Sequence, residues 1–508
     1  MWMKVCSMLD ECGSQVDKVK DRLRNSFDEN RVYPDSIYLS EGSYFFIAFV
    51  DSAKKLVVYR EGNAYGQFNG TEMDCGSGKA KICDLSFDNC QLIRGLFPFT
   101  KPSNHKGIKT TVGLGDRLGL ASAGHIRTLK GKNIFPVLAQ QSIRELNLTS
   151  RDYNDVLAAA SWAVFQEGYT SGFGADGDHL KTAEEVKMAI GCGFTMITLD
   201  CSEHIDNSVP ALSQTEIDQR YLALPEADRK SLEGKYLGKK IKIDEDSSIE
   251  FSVAEFRKVV LIYLKAIRYT IEIYNSTIKN CGRPIDFEMS IDETLTSTSP
   301  ESHYFVASEL IESGVDVTSL APRFCGEFQK GIDYIGDIQQ FTAEFDMHVR
   351  IARHFGYKIS VHSGSDKFSI FPVVGEKTGG EYHLKTAGTN WLEAVRVISV
   401  MDPVLYRRMH KFAIENLNAA KKYYHISGQA SNVPDIDKME DKELPKFLEM
   451  DDSRQVLHIT YGLMLTAKNP DGSSTFRDDI YTLLNRYEDK YYQALQKHIG
   501  RHFETLGL

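Results

Sequence analysis

Eight short apolar runs, each followed by a polar loop and a stretch with helical character, constrain the fold of this chain more than any other feature. Strands that alternate with helices pair in parallel, and eight of them favour a closed barrel over an open doubly wound sheet. We therefore predict a (β/α)8 TIM-type barrel, with the open sheet as the alternative. The predicted strands are 110–121, 136–142, 172–179, 194–200, 287–293, 317–322, 357–365 and 381–389.

The barrel, predicted for residues 106–425, is flanked and interrupted by regions of different character. Residues 1–105 contain two aromatic-rich runs joined by a short polar turn, which predicts a hairpin within a small β-rich N-terminal region. Residues 207–250 are polar and break the alternation of strands and helices, as an insertion does. Residues 426–508 are predicted to form a helical C-terminal extension.

The charge balance argues against two classes of function. The 508 residues carry 70 acidic and 60 basic side chains, whereas nucleic-acid and membrane-surface binders need a cationic face. Nine cysteines without a CxxC pair indicate free thiols, and no stretch near the start resembles a signal peptide. We therefore expect a cytoplasmic protein without nucleic-acid or membrane partners, and a homo-oligomer is compatible with the sequence.

Three histidines lie on predicted strand ends, where barrel enzymes build their active sites. Neutral imidazole is the commonest ligand of zinc and similar ions, and three protein ligands with an open position are typical of catalytic sites. His179, His362 and His383 are therefore predicted to bind a divalent metal cation. The pattern does not distinguish zinc, manganese, nickel and cobalt, and Glu288 is the alternative to His383 as the third ligand.

Asp178 directly precedes His179, and a carboxylate beside a metal-bound substrate is a natural general base. Both side chains can face one site only if the strand is already turning there, because consecutive side chains on a strand point to opposite faces. Gly174 and Gly177 permit such a turn. The alternative roles for Asp178 are a solvated carboxylate or a partner that orients a metal-binding imidazole.

Positive side chains gather at the same predicted rim in an otherwise acidic protein. They are Arg144, Arg323, Lys181, Lys367 and Lys385. Such a cluster indicates an anionic substrate, because arginine in particular matches a carboxylate with two hydrogen bonds. Ordinary surface salt bridges are the alternative. Arg323 and Lys385 are the better candidates because they directly follow apolar strand residues.

A glycine-rich run, Gly113–Gly119, resembles a dinucleotide-binding fingerprint but has the wrong spacing, G-x-G-x-x-x-G. No clear strand–turn–helix unit with a terminal acidic residue follows it, as that fingerprint requires. We therefore predict no nucleotide cofactor.

Eight ordered motifs carry a family resemblance: GLGDRLGLASAGHI (113–126), AQQSIRE (139–145), FQEGYTSGFGADGDHLKT (165–182), FTMITLDCSEHID (194–206), FEMSIDET (287–294), LAPRFCGEFQKGIDYIGD (320–337), VHSGSDKFSIFP (361–372) and HLKTAGTNWLEA (383–394). Together they resemble the tagaturonate/fructuronate epimerases of bacterial hexuronate catabolism. The resemblance implies a metal-dependent enzyme that interconverts two keto-hexuronates differing at one hydroxyl-bearing carbon. The Asp178-His179 pair and the run after His362 also resemble class II aldolases. Those aldolases take a histidine from their sixth strand, which here reads SLAPRF, so the third ligand stays open.

The reaction that the resemblance implies leaves two possible mechanisms. The carbon to be inverted lies β to the ketone, so enolisation cannot remove its hydrogen. Either a nicotinamide cofactor oxidises the hydroxyl, or retro-aldol cleavage leaves an enediolate that re-adds to the opposite face of the aldehyde. We favour the aldol route, with a Lewis acid for the enediolate charge, Asp178 as the base and Glu288 as the partner acid or base. The alternatives are a class II-type aldolase that releases its fragments and a sugar-acid binding protein on an inactive barrel.

Overall fold

The computed structural model describes residues 2–24, 32–51, 53–386 and 388–508. Ala387, within the predicted strand 381–389, lies outside the described residues, as do positions 25–31 and 52 of the predicted N-terminal region. All nine cysteines are described and have free thiols, as the sequence predicts. Among the described helices, none is both long and apolar enough to cross a membrane.

The N-terminal region is an antiparallel sheet of five strands with three helices. Its elements are α1 (Trp2–Cys12), α2 (Val16–Arg24), β1 (Tyr38–Ser40), β2 (Ser43–Val50), β3 (Ala53–Tyr59), β4 (Gly70–Cys75), β5 (Gly78–Asp84) and α3 (Phe87–Leu96). The strand order is β1-β2-β3-β5-β4. Strands β2 and β3 form the predicted hairpin, in which Tyr44 pairs with Tyr59. The sequence did not predict the two helices at the start, of which α1 buries Val5 and Leu9 against the sheet.

Residues 110–401 form a barrel and the helices that surround it. In chain order the elements are β6 (Thr110–Leu114), α4 (Ser122–Leu129), β7 (Phe135–Gln141), α5 (Ile143–Thr149), α6 (Tyr153–Gln166), β8 (Gly174–Leu180), α7 (Ala183–Cys192), β9 (Met196–Asp200), α8 (Gln214–Leu222), α9 (Glu226–Tyr236), β10 (Ile241–Lys242), β11 (Ser248–Ile249), α10 (Val253–Ile273), β12 (Asp286–Ile291), α11 (Pro300–Glu312), β13 (Val317–Pro322), α12 (Ile338–Phe355), β14 (Lys358–Val361), α13 (Phe371–Thr378), β15 (Tyr382–Thr386) and α14 (Thr389–Met401). Eight parallel strands close in the order β12-β13-β14-β15-β6-β7-β8-β9. The predicted closed barrel is confirmed, and each predicted run overlaps one observed strand.

The interior of this barrel is polar, which sets it apart from barrels filled with branched apolar side chains. In β12, Asp286, Glu288 and Ser290 alternate with apolar residues that join the core shared with the surrounding helices. Side chains alternate between the two faces of a strand, so these three polar residues share the interior face. The apolar core thus lies between the strands and the helices, and the space inside the strands is left for polar groups.

Two additions flank the barrel. The segment 207–250 supplies α8, α9 and the hairpin of β10 and β11, and α8 packs against α10. The C-terminal part is helical, as predicted, and α19 packs against both α4 and α14. Its elements are α15 (Pro403–Ala420), α16 (Asp451–Ile459), α17 (Tyr461–Thr466), α18 (Arg477–Arg486) and α19 (Glu488–Thr505).

Candidate active site

The buried ammonium of Lys385 lies at the centre of the polar barrel interior. Lys385 belongs to β15, and its side chain is 4% exposed. Its Nζ lies 2.8 Å from Asp176 Oδ2, 2.7 Å from Asp178 Oδ1 and 3.0 Å from Glu288 Oε1. The Thr198 hydroxyl is within hydrogen-bonding distance of the same group. The charge of Lys385 is therefore already balanced by carboxylates of the protein.

The chain turns at the end of β8, and this turn brings Asp178 and His179 into one site. His179 has a positive φ of 53°, which is uncommon for a residue with a side chain. The pairing of β8 with β9 also shifts register between Gly177 and Leu180. A regular strand would point the two side chains to opposite faces. The required turn is present, and His179 itself makes it through its left-handed backbone.

Two imidazoles and one carboxylate converge at the C-terminal mouth of the barrel. His179 Nε2 lies 3.7 Å from Asp292 Oδ1, and His362 Nδ1 lies 3.3 Å from the same oxygen. One ligand atom from each of the three residues lies within 4.8 Å of the others. The second nitrogen of each imidazole faces another carboxylate, with His179 Nδ1 2.8 Å from Asp178 and His362 Nε2 2.7 Å from Glu288. Metal-binding histidines are typically oriented by such carboxylates.

The buried charges of this site favour a cation. The carboxylates of Asp176, Asp178, Glu288 and Asp292 surround the two imidazoles, and the Lys385 ammonium pairs with Asp176, Asp178 and Glu288. Buried charges are unfavourable unless they are paired, so the Asp292 carboxylate, whose ion-pair partners are the two imidazoles, favours positive charge at this point. Two imidazoles, one carboxylate and an open side match the donors of catalytic zinc and related ions. The residues present therefore fit a divalent cation.

The pKa directions in the site follow from the same charges. Burial lowers the pKa of His179, but Asp178 and Asp292 outweigh it and hold that pKa well above its usual value. Burial likewise lowers the pKa of His362, but Asp292 and Glu288 together outweigh burial and hold that pKa above its usual value. Burial raises the pKa of Asp178, but Lys385 and His179 bring it far below its usual range. Asp178 is therefore ionised throughout the pH range in which enzymes work.

The structure does not bring His383 to this group of donors. Its Nδ1 lies 2.8 Å from the Thr111 hydroxyl, and its ring stacks on His105 with centroids 5.7 Å apart. His383 precedes Lys385 by two residues on the same face of β15, so it lies roughly 6.6 Å deeper in the barrel. The third donor beside the two histidines is Asp292, which follows β12.

The two predicted catalytic carboxylates differ in their access to solvent. Asp178 lines the inner of two adjoining cavities at the mouth, of about 70 and 300 Å³. Glu288 is completely buried beneath His362, accepts a hydrogen bond from Ser319, and lines neither described cavity. Asp178 therefore borders the cavity directly, whereas Glu288 contacts two residues that line it, His362 and Lys385.

The predicted substrate-binding cations are spread over different places. Arg144 lines both cavities and Arg323 lines the outer one. Lys385 reaches the inner cavity from the barrel interior. Lys181 forms an ion pair with Glu203, 3.0 Å away, and lines neither of the two described cavities. Lys367 is buried, and its Nζ donates to the backbone carbonyls of Gln329, Ile332 and Ser365. The structure therefore brings three of the five cations to the cavities, and Lys181 and Lys367 are not among them.

Three basic side chains of the inner cavity were not predicted from the sequence. They are Arg117, which follows β6, Lys330, which follows β13, and His458 from α16. Lys330 lies within the motif 320–337, so a longer search beyond the strand end could have found it. His458 comes from a C-terminal helix, and the local sequence there gives no signal of a site.

The backbone N–H groups of the glycine-rich loop after β6 are bound by a side chain of the same loop, that of Asp116. Asp116 Oδ1 accepts the backbone N–H of Gly119 at 2.8 Å, and Asp116 Oδ2 accepts that of Ala121 at 2.7 Å. Backbone amides of this kind hold the phosphates in dinucleotide sites. In this chain the carboxylate of Asp116 occupies them.

Comparisons with known proteins agree over nearly the whole chain. The family model for tagaturonate epimerase (UxaE) matches residues 33–506. A tagaturonate/fructuronate epimerase of Thermotoga maritima is 40% identical over 476 residues, which cover 94% of this chain and 96% of that protein. Crystal structures of the fructuronate-tagaturonate epimerase of Cohnella laeviribosi, native and with one glycerol, are each 49% identical. Each has a TM-score of 0.92 and covers 97% of this chain and 99% of the other.

Proposed function

Because the chain belongs to the tagaturonate epimerase family and is an isomerase acting on carbohydrates, we propose that it interconverts tagaturonate and fructuronate by retro-aldol chemistry at a divalent cation. The substrate class follows from the family. The observation that carries the mechanism is the group of His179, Asp292 and His362 beside Asp178 in one cavity. The runner-up, an aldolase that releases its fragments, would use the same groups.

The proposed cation site uses His179, Asp292 and His362, with Asp178 and Glu288 orienting the two imidazoles. Asp292 replaces His383 as the third ligand in this assignment. When bound, a divalent cation supplies the Lewis acid that stabilises negative charge developing on the ketone oxygen. Glu288 contacts His362 at 2.7 Å and Lys385 at 3.0 Å but does not line the cavity, so we assign it a positioning role rather than that of the partner acid.

Asp178 is the proposed base of the cleavage step. Its carboxylate takes the proton of the hydroxyl on the carbon to be inverted, and that carbon becomes an aldehyde as its bond to the α carbon breaks. The bonding pair passes into the enediolate of the other fragment. After the aldehyde has turned, the enediolate carbon attacks its opposite face, and the new alkoxide takes the proton back. No oxidant or reductant is needed, and the hydrogen on the inverted carbon never leaves it.

Lys385 supports this step through its ion pair with Asp178. Its ammonium lies 2.7 Å from Asp178 Oδ1, and burial, which lowers the pKa of Lys385, is outweighed by the surrounding carboxylates, Asp176 and Asp178 above all. Lys385 therefore stays charged and keeps Asp178 ionised. A low pKa limits the strength of a base. Proton transfer to Asp178 is thus expected to be late, close to the point at which the carbon–carbon bond breaks.

Product analysis tests the proposed function. Purified enzyme incubated with fructuronate should give tagaturonate, a product of unchanged mass, and activity should fall after chelation and return on addition of a divalent cation. Accumulation of two three-carbon fragments would favour the aldolase. Full activity in enzyme whose metal content is shown to be below one tenth per chain would contradict the assignment of the cation site.

A further inference from the structure

One side of the inner cavity gathers positive charge that the proposed bond-breaking steps do not use. Arg117, Arg144 and Lys330 line this side. Arg117 is neutralised by Glu145, whose Oε1 lies 2.9 Å from Arg117 Nε and 2.8 Å from Nη2. Arg144 and Lys330 form no ion pair with any of the residues that the structure describes. Arg144 and Lys330 thus face the cavity with no carboxylate of the described residues at ion-pairing distance, and the carboxylates of Glu145 and Glu293 act on both cations only from farther away.

Specific contacts hold the side chains of Lys330 and Arg144 in place. Lys330 Nζ donates to the Ser363 hydroxyl at 2.8 Å, and the Arg144 guanidinium lies over the Tyr424 ring, 5.1 Å from its centroid. Burial lowers the pKa of Lys330, and the nearby arginines, Arg144 first, lower it further. An anion in the cavity would relieve the repulsion between these cations and would be bound by their positive charge.

His458 completes the same side of the cavity. It is 1% exposed, and neither ring nitrogen has a hydrogen-bond partner among the described residues. A side chain at Gly388 would place its Cβ 2.0 Å from His458 Nε2, and one at Gly331 would lie 3.2 Å from Nδ1. Glycines at both positions therefore leave room for the imidazole. A buried polar ring without a partner that lines a cavity points to a ligand that supplies the partner.

We propose that Lys330, Arg144 and His458 bind the carboxylate of the hexuronate at this side of the inner cavity. The assignment rests on the proposed function, because it takes the substrate to be a hexuronate. Lys330 and Arg144 provide the charge, and His458 provides a ring N–H. Since His458 belongs to α16, the C-terminal extension supplies part of the substrate site.

This placement explains why cleavage leads to epimerisation and not to release. The carboxylate is on the fragment that becomes the aldehyde, and that fragment must turn before the bond forms again. A carboxylate held by Lys330, Arg144 and His458 lets the aldehyde rotate about its own bonds while the fragment stays in the cavity. Weakening this grip should therefore raise the Michaelis constant and also let fragments escape.

Steady-state kinetics on the metal-loaded enzyme test the proposal. Lys330→Met and His458→Asn should each raise the KM for fructuronate by about 10- to 100-fold, the range expected for loss of a charge-assisted hydrogen bond. Trapped aldehyde fragment per turnover should rise above that of the unmodified enzyme. Lys330→Arg should restore most of the affinity.

Matched controls use side chains away from the cavity. Lys106→Met removes a lysine paired with Asp316, and His410→Asn removes a buried histidine of α15. Unchanged KM values in both Lys330→Met and His458→Asn would overturn the carboxylate site, as would an equal rise in Lys106→Met. If His458→Asn does not fold, Lys330→Met and Lys330→Arg decide. Failure of the proposed function is distinguishable, because the unmodified enzyme would then not convert fructuronate.

Discussion

Replacing Asp178 by asparagine separates its role as a base from its role in holding the site together. Asparagine keeps the shape and one acceptor oxygen but cannot take a proton. Loss of a general base lowers kcat by about 100- to 10,000-fold, or about 3–5 kcal/mol in activation free energy. We expect Asp178→Asn to fall in this range.

The structure also predicts which contacts Asp178→Asn keeps and which it weakens. Lys385 Nζ retains Asp176 at 2.8 Å and Glu288 at 3.0 Å, so its buried charge remains paired and the melting temperature should change little. His179 loses the carboxylate on its Nδ1, 2.8 Å away, and loss of such an orienting partner weakens metal binding by about 10- to 100-fold. Activity must therefore be measured at saturating metal.

The assay compares kcat of Asp178→Asn and the unmodified enzyme with fructuronate, at metal concentrations that give equal occupancy by elemental analysis. Asp178→Glu is the companion variant, since it keeps a carboxylate but displaces it. A kcat for Asp178→Asn within tenfold of the unmodified enzyme at equal occupancy would refute the assignment of Asp178 as the base.

Three further predictions follow from the same geometry. Asp292→Asn should lose at least 10-fold in metal affinity while His383→Asn keeps it, as measured by equilibrium dialysis, because only Asp292 lies with the two histidine donors; the reverse order would restore His383 as a ligand. Substrate deuterated at the inverted carbon should keep its deuterium and show no primary isotope effect, whereas exchange or a large effect would indicate hydride transfer. His498 is buried between Asp366, at 3.1 Å, and Glu393, at 3.6 Å, and although burial lowers its pKa, Asp366 raises it above the usual value. A raised histidine pKa stabilises the fold below about pH 6.5, and this contribution is lost as the pH rises through the folded-state value. His498→Asn should therefore lose about 3 kcal/mol at pH 6 and progressively less at higher pH in denaturant titrations; a loss that grows with pH would contradict this pairing.

Strand spacing and the chemistry of strand ends predicted much of the site. In a closed parallel barrel all carboxyl ends of the strands meet at one mouth, so Asp178, His179 and His362, far apart in sequence, converge there once the barrel closes. Asp292 lies near the end of the predicted strand 287–293, but the sequence did not predict it as a donor. The period of two along β15 could also have shown that His383 lies deeper than Lys385.

Other parts of the site depended on contacts that no local pattern records. The polar network around Lys385 needs three carboxylates from two other strands, and their distances follow from the barrel register. The position of Glu288 along β12 decides whether its side chain reaches the cavity or lies beneath His362. The left-handed backbone of His179, not the glycines before it, makes the turn.

The sequence by itself determined the barrel, its helical additions and several of the polar residues at its mouth, among them Asp178, His179 and His362, because strand period, strand ends and motif order are local properties of the chain. Only the tertiary structure decided which of those residues meet. It placed Asp292, not His383, beside the two histidines, and it brought His458 from α16 to the inner cavity. The physical reason is that a side chain contributed by a distant helix is selected by packing between layers, and packing of that kind leaves no period or spacing in the sequence around the residue.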